Sequence, residues 1–324
     1  MTNQENRRLL VVAGPTASGK TALAVALAKR LDGEVVSADS MQVYREPVIG
    51  TARPSVEEMD GVPHHLLGFL PLSERYSVAR YAADARTVLS EIYARGRQPI
   101  LCGGTGLYIQ AVTENLAFSE EAGDETLALR DRLREELATV GGEAMLRRLA
   151  AVDAETAARL HPHDGGRIVR ALEVFEQTGM PMSEWIRRSK AAPPPYDTCM
   201  LVLNFRDRAV LYDRIDRRVD EMLRQGLLDE AQEILRSLAA PTAMQAIGYK
   251  ELAPYFAGER TLVEAVDHLK RETRRYAKRQ LSWFRRVAGA HELYADDYPD
   301  RAALIEAALA VWRGAETDEK GALK

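Results

Sequence analysis

Near the N-terminus, Gly14-Pro15-Thr16-Ala17-Ser18-Gly19-Lys20-Thr21 satisfies the spacing GxxxxGK[ST]. It stands between an apolar run, Leu9 to Ala13, and an alanine-rich stretch of helical character from Gly19 to Leu31. In that setting the pattern reads as a phosphate loop. Backbone amides at the helix start can surround an anion, the Lys20 ammonium adds a mobile charge, and the Thr21 hydroxyl can help hold magnesium. The loop implies a di- or triphosphate, ATP included, without saying what happens to it. Nucleotide-hydrolysing proteins of this kind also need an acid at a strand end. Gln98 to Cys102 runs into Gly103-Gly104-Thr105-Gly106, with no carboxylate, whereas Glu34 to Ala38 runs into Asp39-Ser40. Asp39 is therefore the strand-end acid near the loop, as a chemical group or as a turn cap.

Two further sets of charges have telling spacing. Arg214 and Arg218 lie four residues apart, on one face of a helix, with Asp213, Asp216 and Asp220 interleaved. They form either an anion clamp or a solvated face laced with ion pairs. Along the stretch Leu262 to Val287, Lys270, Arg274 and Lys278 repeat every four residues, with Arg271, Arg275 and Arg279 beside them. From Lys270 to Arg286 there are eight basic residues and one acid, Glu272, a local charge of +7. Balancing acids are nearly absent, which suits contacts to nucleic-acid phosphates that weaken with salt. Leu262, Val266, Leu269, Thr273, Tyr276, Gln280 and Phe284 or Val287 form a mostly apolar seam for docking that helix. His64-His65 and His161-x-His163 are too short and isolated to be metal sites, and read as turns or caps. Met180 and Met182 read as gap fillers.

Positioning these groups requires an α/β fold of the P-loop NTPase-like kind: a mainly parallel sheet flanked by helices. A helix from Ser77 to Arg95 and strands near 199–204 and 291–294 extend the alternation, followed by helices over Asp207 to Leu238, broken at Gly226, and Leu262 to Val287. Between Val112 and Pro195 the strand signal gives way to helical periodicity, an all-helical insertion in which Asp164 is placed to cap a helix ending before Gly179. The division is 1–111 and 198–314 for the core, 112–197 for the insertion, and a frayed tail over 315–324. With 44 Lys and Arg against 48 Asp and Glu, a net charge of −4, the chain of 324 residues is not a uniformly basic nucleic-acid coat. At 46% hydrophobic and 28% charged residues the composition is globular. Cys102 and Cys199 make no metal or redox pattern, which suits a reducing, cytoplasmic setting. The five residues Leu9 to Ala13 are too few for a signal-peptide core or a membrane span, so no membrane is expected.

The phosphate loop, the block Asp39-Ser40-Met41-Gln42-Val43-Tyr44-Arg45 and the block Gly103-Gly104-Thr105-Gly106-Leu107-Tyr108 together resemble the tRNA dimethylallyltransferase family, or tRNA isopentenyltransferases. The likeness continues through 167–174, 214–220, 245–252 (Gln245-Ala246-Ile247-Gly248-Tyr249-Lys250-Glu251-Leu252) and 279–285, so it spans the chain from about 9 to 290. The bacterial type fits, because no cysteine follows Cys199 to build the zinc module of eukaryotic relatives. The resemblance implies transfer of a dimethylallyl group from dimethylallyl diphosphate to the exocyclic amine of an adenosine beside the anticodon of tRNA. It implies Asp39 as base and Gly14 to Thr21, magnesium and Arg218 as the clamp on the diphosphate, with Lys20 and Thr21 serving catalysis. Asp39, Ser40, Met41, Gln42 and Thr105 would meet the RNA around the target base. Arg167 and Arg170 would grip the anticodon loop, although Gly165 and Gly166 stand where the family commonly has a longer polar residue before the first arginine. Lys270, Arg274, Arg275 and Lys278 would carry the phosphate contacts, and no seam demands a dimer. A metabolite kinase shares the loop but leaves the basic helix and the Asp39 block without purpose. An enzyme prenylating free adenine nucleotides would need no insertion, and an RNA-binding switch would bind nucleotide without transferring anything.

Overall fold

The structure, a computed structural model, describes residues 7–114, 116, 124–191, 193–237 and 246–321. It divides into two compact units, Met1–Gln110 with Tyr196–Lys324, and Ala111–Pro195.

In the first unit, β1 (Arg8–Ala13) leads through the phosphate loop into α1 (Lys20–Leu31) and β2 (Gly33–Ser37). A one-turn α2 (Val56–Met59), β3 (His64–His65), α3 (Val78–Ala94), β4 (Gln98–Gly103) and α4 (Gly106–Thr113) follow. The second unit holds α5 (Asp124–Val152, kinked at Gly141), α6 (Ala154–Ala157), α7 (Gly165–Thr178) and α8 (Met182–Ala191). The chain then returns to the first unit with β5 (Asp197–Asn204), α9 (Arg208–Arg224), α10 (Leu227–Arg236), α11 (Ala253–Phe256), α12 (Leu262–Phe284), β6 (His291–Tyr294) and α13 (Arg301–Gly321).

The six strands form one sheet in the order β3-β2-β4-β1-β5-β6, and every pairing is parallel. β1 lies between β4 and β5, and Leu9 to Ala13 are fully buried. Burying such Leu and Val side chains is worth about 1.5–3 kcal/mol each, which fixes β1 and therefore the loop at its carboxyl end. Ligands in such sheets gather beyond the carboxyl ends of the strands, where the phosphate loop, Asp39 and Gly103-Gly104 all emerge. α3 braces this edge. Ser77 caps it by accepting from the Arg80 amide, its buried Tyr81 donates to the Ser37 carbonyl at 2.9 Å, and the Tyr81 ring stacks on Tyr108 at 3.9 Å.

Several expectations are corrected. His64-His65 is neither turn nor cap but a short edge strand beside β2, with His65 Nε2 2.6 Å from Glu34. Asp164 occupies the N-cap position of α7 without capping it; its carboxylate accepts instead from the His161 amide.

Inside the helical unit, Leu133, Met145, Leu149, Ile168, Val169 and Leu172 form the core, with Met182 packed against it. Glu173 is fully buried there and accepts two bonds from Arg130, at 2.7 and 2.8 Å, and one from Arg170. Burial alone would raise its pKa, but the Arg130 hydrogen bond and the two guanidinium charges outweigh it and hold the carboxyl below its usual range. Arg170, expected to grip RNA, is thus spent on this internal carboxylate. Arg167 is exposed and forms no ion pair among the described residues.

Candidate active site

The phosphate loop is held from three sides. The Thr16 amide donates to Gln280 Oε1 of α12 at 2.9 Å, Arg214 Nε of α9 donates to the Ala17 carbonyl at 2.9 Å, and Lys20 Nζ donates to the Pro15 carbonyl at 3.3 Å. Ala17, although not glycine, is kept at φ 62°, a strain that the Arg214 contact helps to sustain. Ser18 Oγ is buried with no hydrogen-bond partner among the described residues. A buried hydroxyl left so is costly unless a ligand oxygen completes it, so the loop is shaped for an anion.

Lys20, Thr21, Ser37, Asp39, His64 and Cys102 line one cavity beside the loop. Burial lowers the Lys20 pKa, partly opposed by the Cys102 and Asp39 charges. It pushes the Cys102 thiol up to about 12, so that sulfur is an inert wall. Asp39 Oδ1 accepts from the Met41 amide at 2.9 Å and the Gln42 amide at 3.4 Å. The turn-cap reading of Asp39 therefore holds for one oxygen. Oδ2 takes no hydrogen bond or ion pair among the described residues, so the cap orients the carboxylate and leaves an acceptor over the cavity. The neighbouring block is tied down as well. Ser40 N and Oγ meet Thr105 Oγ1 at 3.1 and 3.4 Å, Gln42 Nε2 donates to the carbonyls of Thr51 and Ala52, and Met41 packs on apolar neighbours.

Arg214 is exposed and Arg218 half-buried, yet both turn inward to backbone groups. Arg214 grips the loop, and Arg218 has Nη2 3.5 Å from the Ala52 carbonyl. Burial lowers the Arg218 pKa, against the raising charges of Glu58 and Asp39. Two of the three interleaved acids serve α12: Asp216 takes Arg274 at 2.5 and 2.7 Å, and Asp220 takes Lys270 at 2.6 Å, while Asp213 pairs with Arg217. The basic ladder was expected to be nearly without balancing acids, and its own stretch offers Glu272 alone. α9 supplies others, so Lys270 and Arg274 bind the two helices together. Arg275 pairs with Glu272 at 2.6 Å but stays exposed, as do Lys278, Arg279, Arg285 and Arg286, which carry the outward basic face.

Sequence reasoning placed Gln280 in an apolar seam and missed its work. Besides the Thr16 amide it holds the Gly104 carbonyl, through Nε2 at 3.0 Å, so one amide ties the phosphate loop to the loop after β4. A Cβ on Gly104 would come within 2.2 Å of that nitrogen, which is why glycine stands there. The signal available was the presence of an amide among apolar seam positions.

The site also suits magnesium. Thr21 and Asp39 offer hard oxygens to the same cavity, Ser18 Oγ lacks a partner, and no group of three His, Cys, Asp or Glu side chains forms a metal cage among the described residues. That donor set fits an ion held largely by a ligand's phosphates and water.

A parallel α/β sheet with a phosphate loop, a strand-end carboxylate and two arginines turned in toward the loop defines a protein that handles a phosphate-bearing substrate. Comparison with known proteins narrows the class. The family model IPP transferase matches residues 42–287. A tRNA dimethylallyltransferase of Geobacillus thermodenitrificans is 49% identical over 279 residues, 86% of this chain and 87% of that protein. One from Thermoanaerobacter sp. (strain X514) is 44% identical over 294 residues, 90% and 93% of the two chains. The crystal structure of the tRNA isopentenylpyrophosphate transferase of Bacillus halodurans superposes with a TM-score of 0.73 at 41% identity, covering 99% of this chain and 100% of that one. A eukaryotic dimethylallyltransferase acting on tRNA gives 0.78 at 28% identity, covering 93% and 77%. The chain belongs to the IPP transferase family.

Proposed function

We propose that the protein transfers a dimethylallyl group from dimethylallyl diphosphate to the exocyclic amine of adenosine 37, beside the anticodon, in tRNAs reading codons that begin with U. Diphosphate is released and isopentenyladenosine is formed. The observation that carries this reading is the cavity shared by Asp39, Lys20 and Thr21, with the half-buried Arg218 at the Ala52 carbonyl.

That amine is a weak nucleophile, because its lone pair is delocalised into the purine. Asp39 Oδ2 accepts its proton as nitrogen bonds to the allylic carbon, while Oδ1 stays fixed by the Met41 and Gln42 amides. The carbon–oxygen bond to diphosphate breaks, and charge grows on the leaving oxygen. Lys20, Arg218 and the remaining loop amides stabilise that charge; Pro15 has no N–H, Gln280 occupies the Thr16 amide and the Pro15 carbonyl takes the Ser18 amide. The Thr21 hydroxyl would help hold a magnesium ion, which when bound would supply neutralising charge to the diphosphate. The adenosine is splayed from a single-stranded loop and enters the pocket flipped out. Ser40, Met41, Gln42 and Thr105 shape the entrance, Arg167 adds an RNA contact, and the exposed residues Arg275 and Lys278 take phosphates. The protein acts as a monomer in the cytoplasm, where its tRNA substrate is found. Among the described residues no helix is long and apolar enough to cross a membrane.

Incubating the protein with dimethylallyl diphosphate, magnesium and unmodified tRNA, beside AMP and ATP in place of tRNA, tests this. Transfer to tRNA alone is expected; ATP turnover without transfer contradicts it.

A further inference from the structure

Residues 47–54, between the Asp39 turn and α2, have no regular structure, yet their backbone is held from both sides. Glu230 of α10 accepts the amides of Val48 and Ile49 on Oε2, each at 2.8 Å. Its Oε1 accepts the Gly50 amide at 2.7 Å and the Tyr249 hydroxyl at 2.8 Å. Four donors thus converge on one carboxylate. Tyr249 packs so closely that a Cβ on Gly50 would lie 2.7 Å from its hydroxyl oxygen. On the other side, the loop's carbonyls face the active site. Gln42 Nε2 donates to Thr51 and Ala52, at 3.1 Å each, and Arg218 Nη2 reaches Ala52 at 3.5 Å. Neither α10 nor the segment Ala246 to Leu252 puts a side chain on the reacting groups, and the reaction as described gives them no task.

We propose that Glu230 is a positioning residue for the diphosphate clamp: by gathering the amides of residues 48–50 it sets the Thr51 and Ala52 carbonyls that hold Gln42 and Arg218. The proposal rests on the reading of Arg218 as a ligand of the donor's diphosphate. Tyr249 is the support that keeps Glu230 turned toward the loop. In Glu230→Gln an NH2 group must replace one of the two oxygens, each of which faces two donors, so the loop loses part of its anchor. Arg218 then samples positions away from the diphosphate, and the penalty is read in anion binding.

The test is a calorimetric titration of the full-length protein with inorganic diphosphate and magnesium, in the presence and absence of tRNA. The variants are Glu230→Gln, Arg218→Ala, the double variant and Tyr249→Phe. Glu230→Gln is expected to weaken diphosphate binding roughly tenfold, the scale of a lost hydrogen bond to a charged group. The double variant is expected to bind no more weakly than Arg218→Ala alone, because Glu230 acts through Arg218. Tyr249→Phe keeps all three amide bonds and is expected to lose about two- to threefold, and nothing in the Arg218→Ala background. That pair decides the matter if Glu230→Gln does not fold. Wild-type affinity in the folded Glu230→Gln protein, losses that multiply in the double variant, or wild-type diphosphate affinity in Arg218→Ala would each overturn the proposal. If the wild type transfers no prenyl group to tRNA, the proposed function fails instead, and this binding cycle still reads Glu230.

Discussion

Asp39 does two jobs with two oxygens, and the division makes its role testable. Asp39→Asn retains a capping oxygen for the Met41 and Gln42 amides and removes only the proton acceptor. Its kcat is expected to fall by about 10²–10⁴, with tRNA affinity within about twofold of wild type, measured by single-turnover transfer and filter binding. Gln280 is the other decisive side chain. In Gln280→Ala the Thr16 amide and the Gly104 carbonyl lose their partner, costing about 1–3 kcal/mol in denaturant titration. The same variant is expected to raise KM for the donor and to leave tRNA affinity unchanged. Lys20 sets a pH limit. Because burial lowers its pKa from 10.5, its charge disappears at a lower pH than that of a free lysine, so the donor KM is expected to rise on the alkaline side before pH 10.5.

At the scale of elements, charges that look alike in sequence divide by what lies across from them. Arg274 faces Asp216 of α9 and Lys270 faces Asp220, whereas Arg275 and Lys278 face outward. Arg274→Ala is expected to cost about 0–1 kcal/mol of stability, the worth of a half-exposed pair, whereas Arg275→Ala with Lys278→Ala lowers tRNA affinity and flattens its salt dependence. Thermal melts and binding at several salt concentrations separate the two effects. The helical unit divides in the same way. Arg170→Ala removes one of the two guanidinium partners of a buried carboxylate that Arg130 still holds, and is expected to destabilise that unit by about 1–3 kcal/mol, while Arg167→Ala leaves its melting unchanged. Glu173, held below its ordinary value of 4.5 in the fold, contributes stability that is complete above that pH and lost as pH falls through the folded value. Acid melting of the unit is expected to track it.

These contrasts explain what the sequence could disclose. The phosphate loop, the Asp39 turn and the six-block likeness are local patterns, and the helices Val78–Ala94 and Leu262–Phe284 follow from periodicity and caps. The α9–α12 ion pairs, the Gln280 tie and the Glu230 anchor join residues 50 to 264 positions apart or serve backbone groups, and no local pattern encodes them. The strand His64–His65 has two residues, too few to show a period, and only its pairing with β2 defines it.

For the whole molecule, a net charge of −4 conceals +7 over Lys270 to Arg286 and −11 elsewhere. Part of that +7 is neutralised by Asp216 and Asp220, so the RNA track is narrower than the count suggests. Its long-range pull should be correspondingly modest, leaving selection to the pocket that receives the adenosine. The account is tested most directly by digesting tRNA to nucleosides after reaction with dimethylallyl diphosphate and magnesium, and weighing adenosine 37 by mass spectrometry. Wild-type protein is expected to add one dimethylallyl group there, and Asp39→Ala none although it still binds the tRNA. An unmodified adenosine with the wild type, or a modified one with Asp39→Ala, would contradict the account.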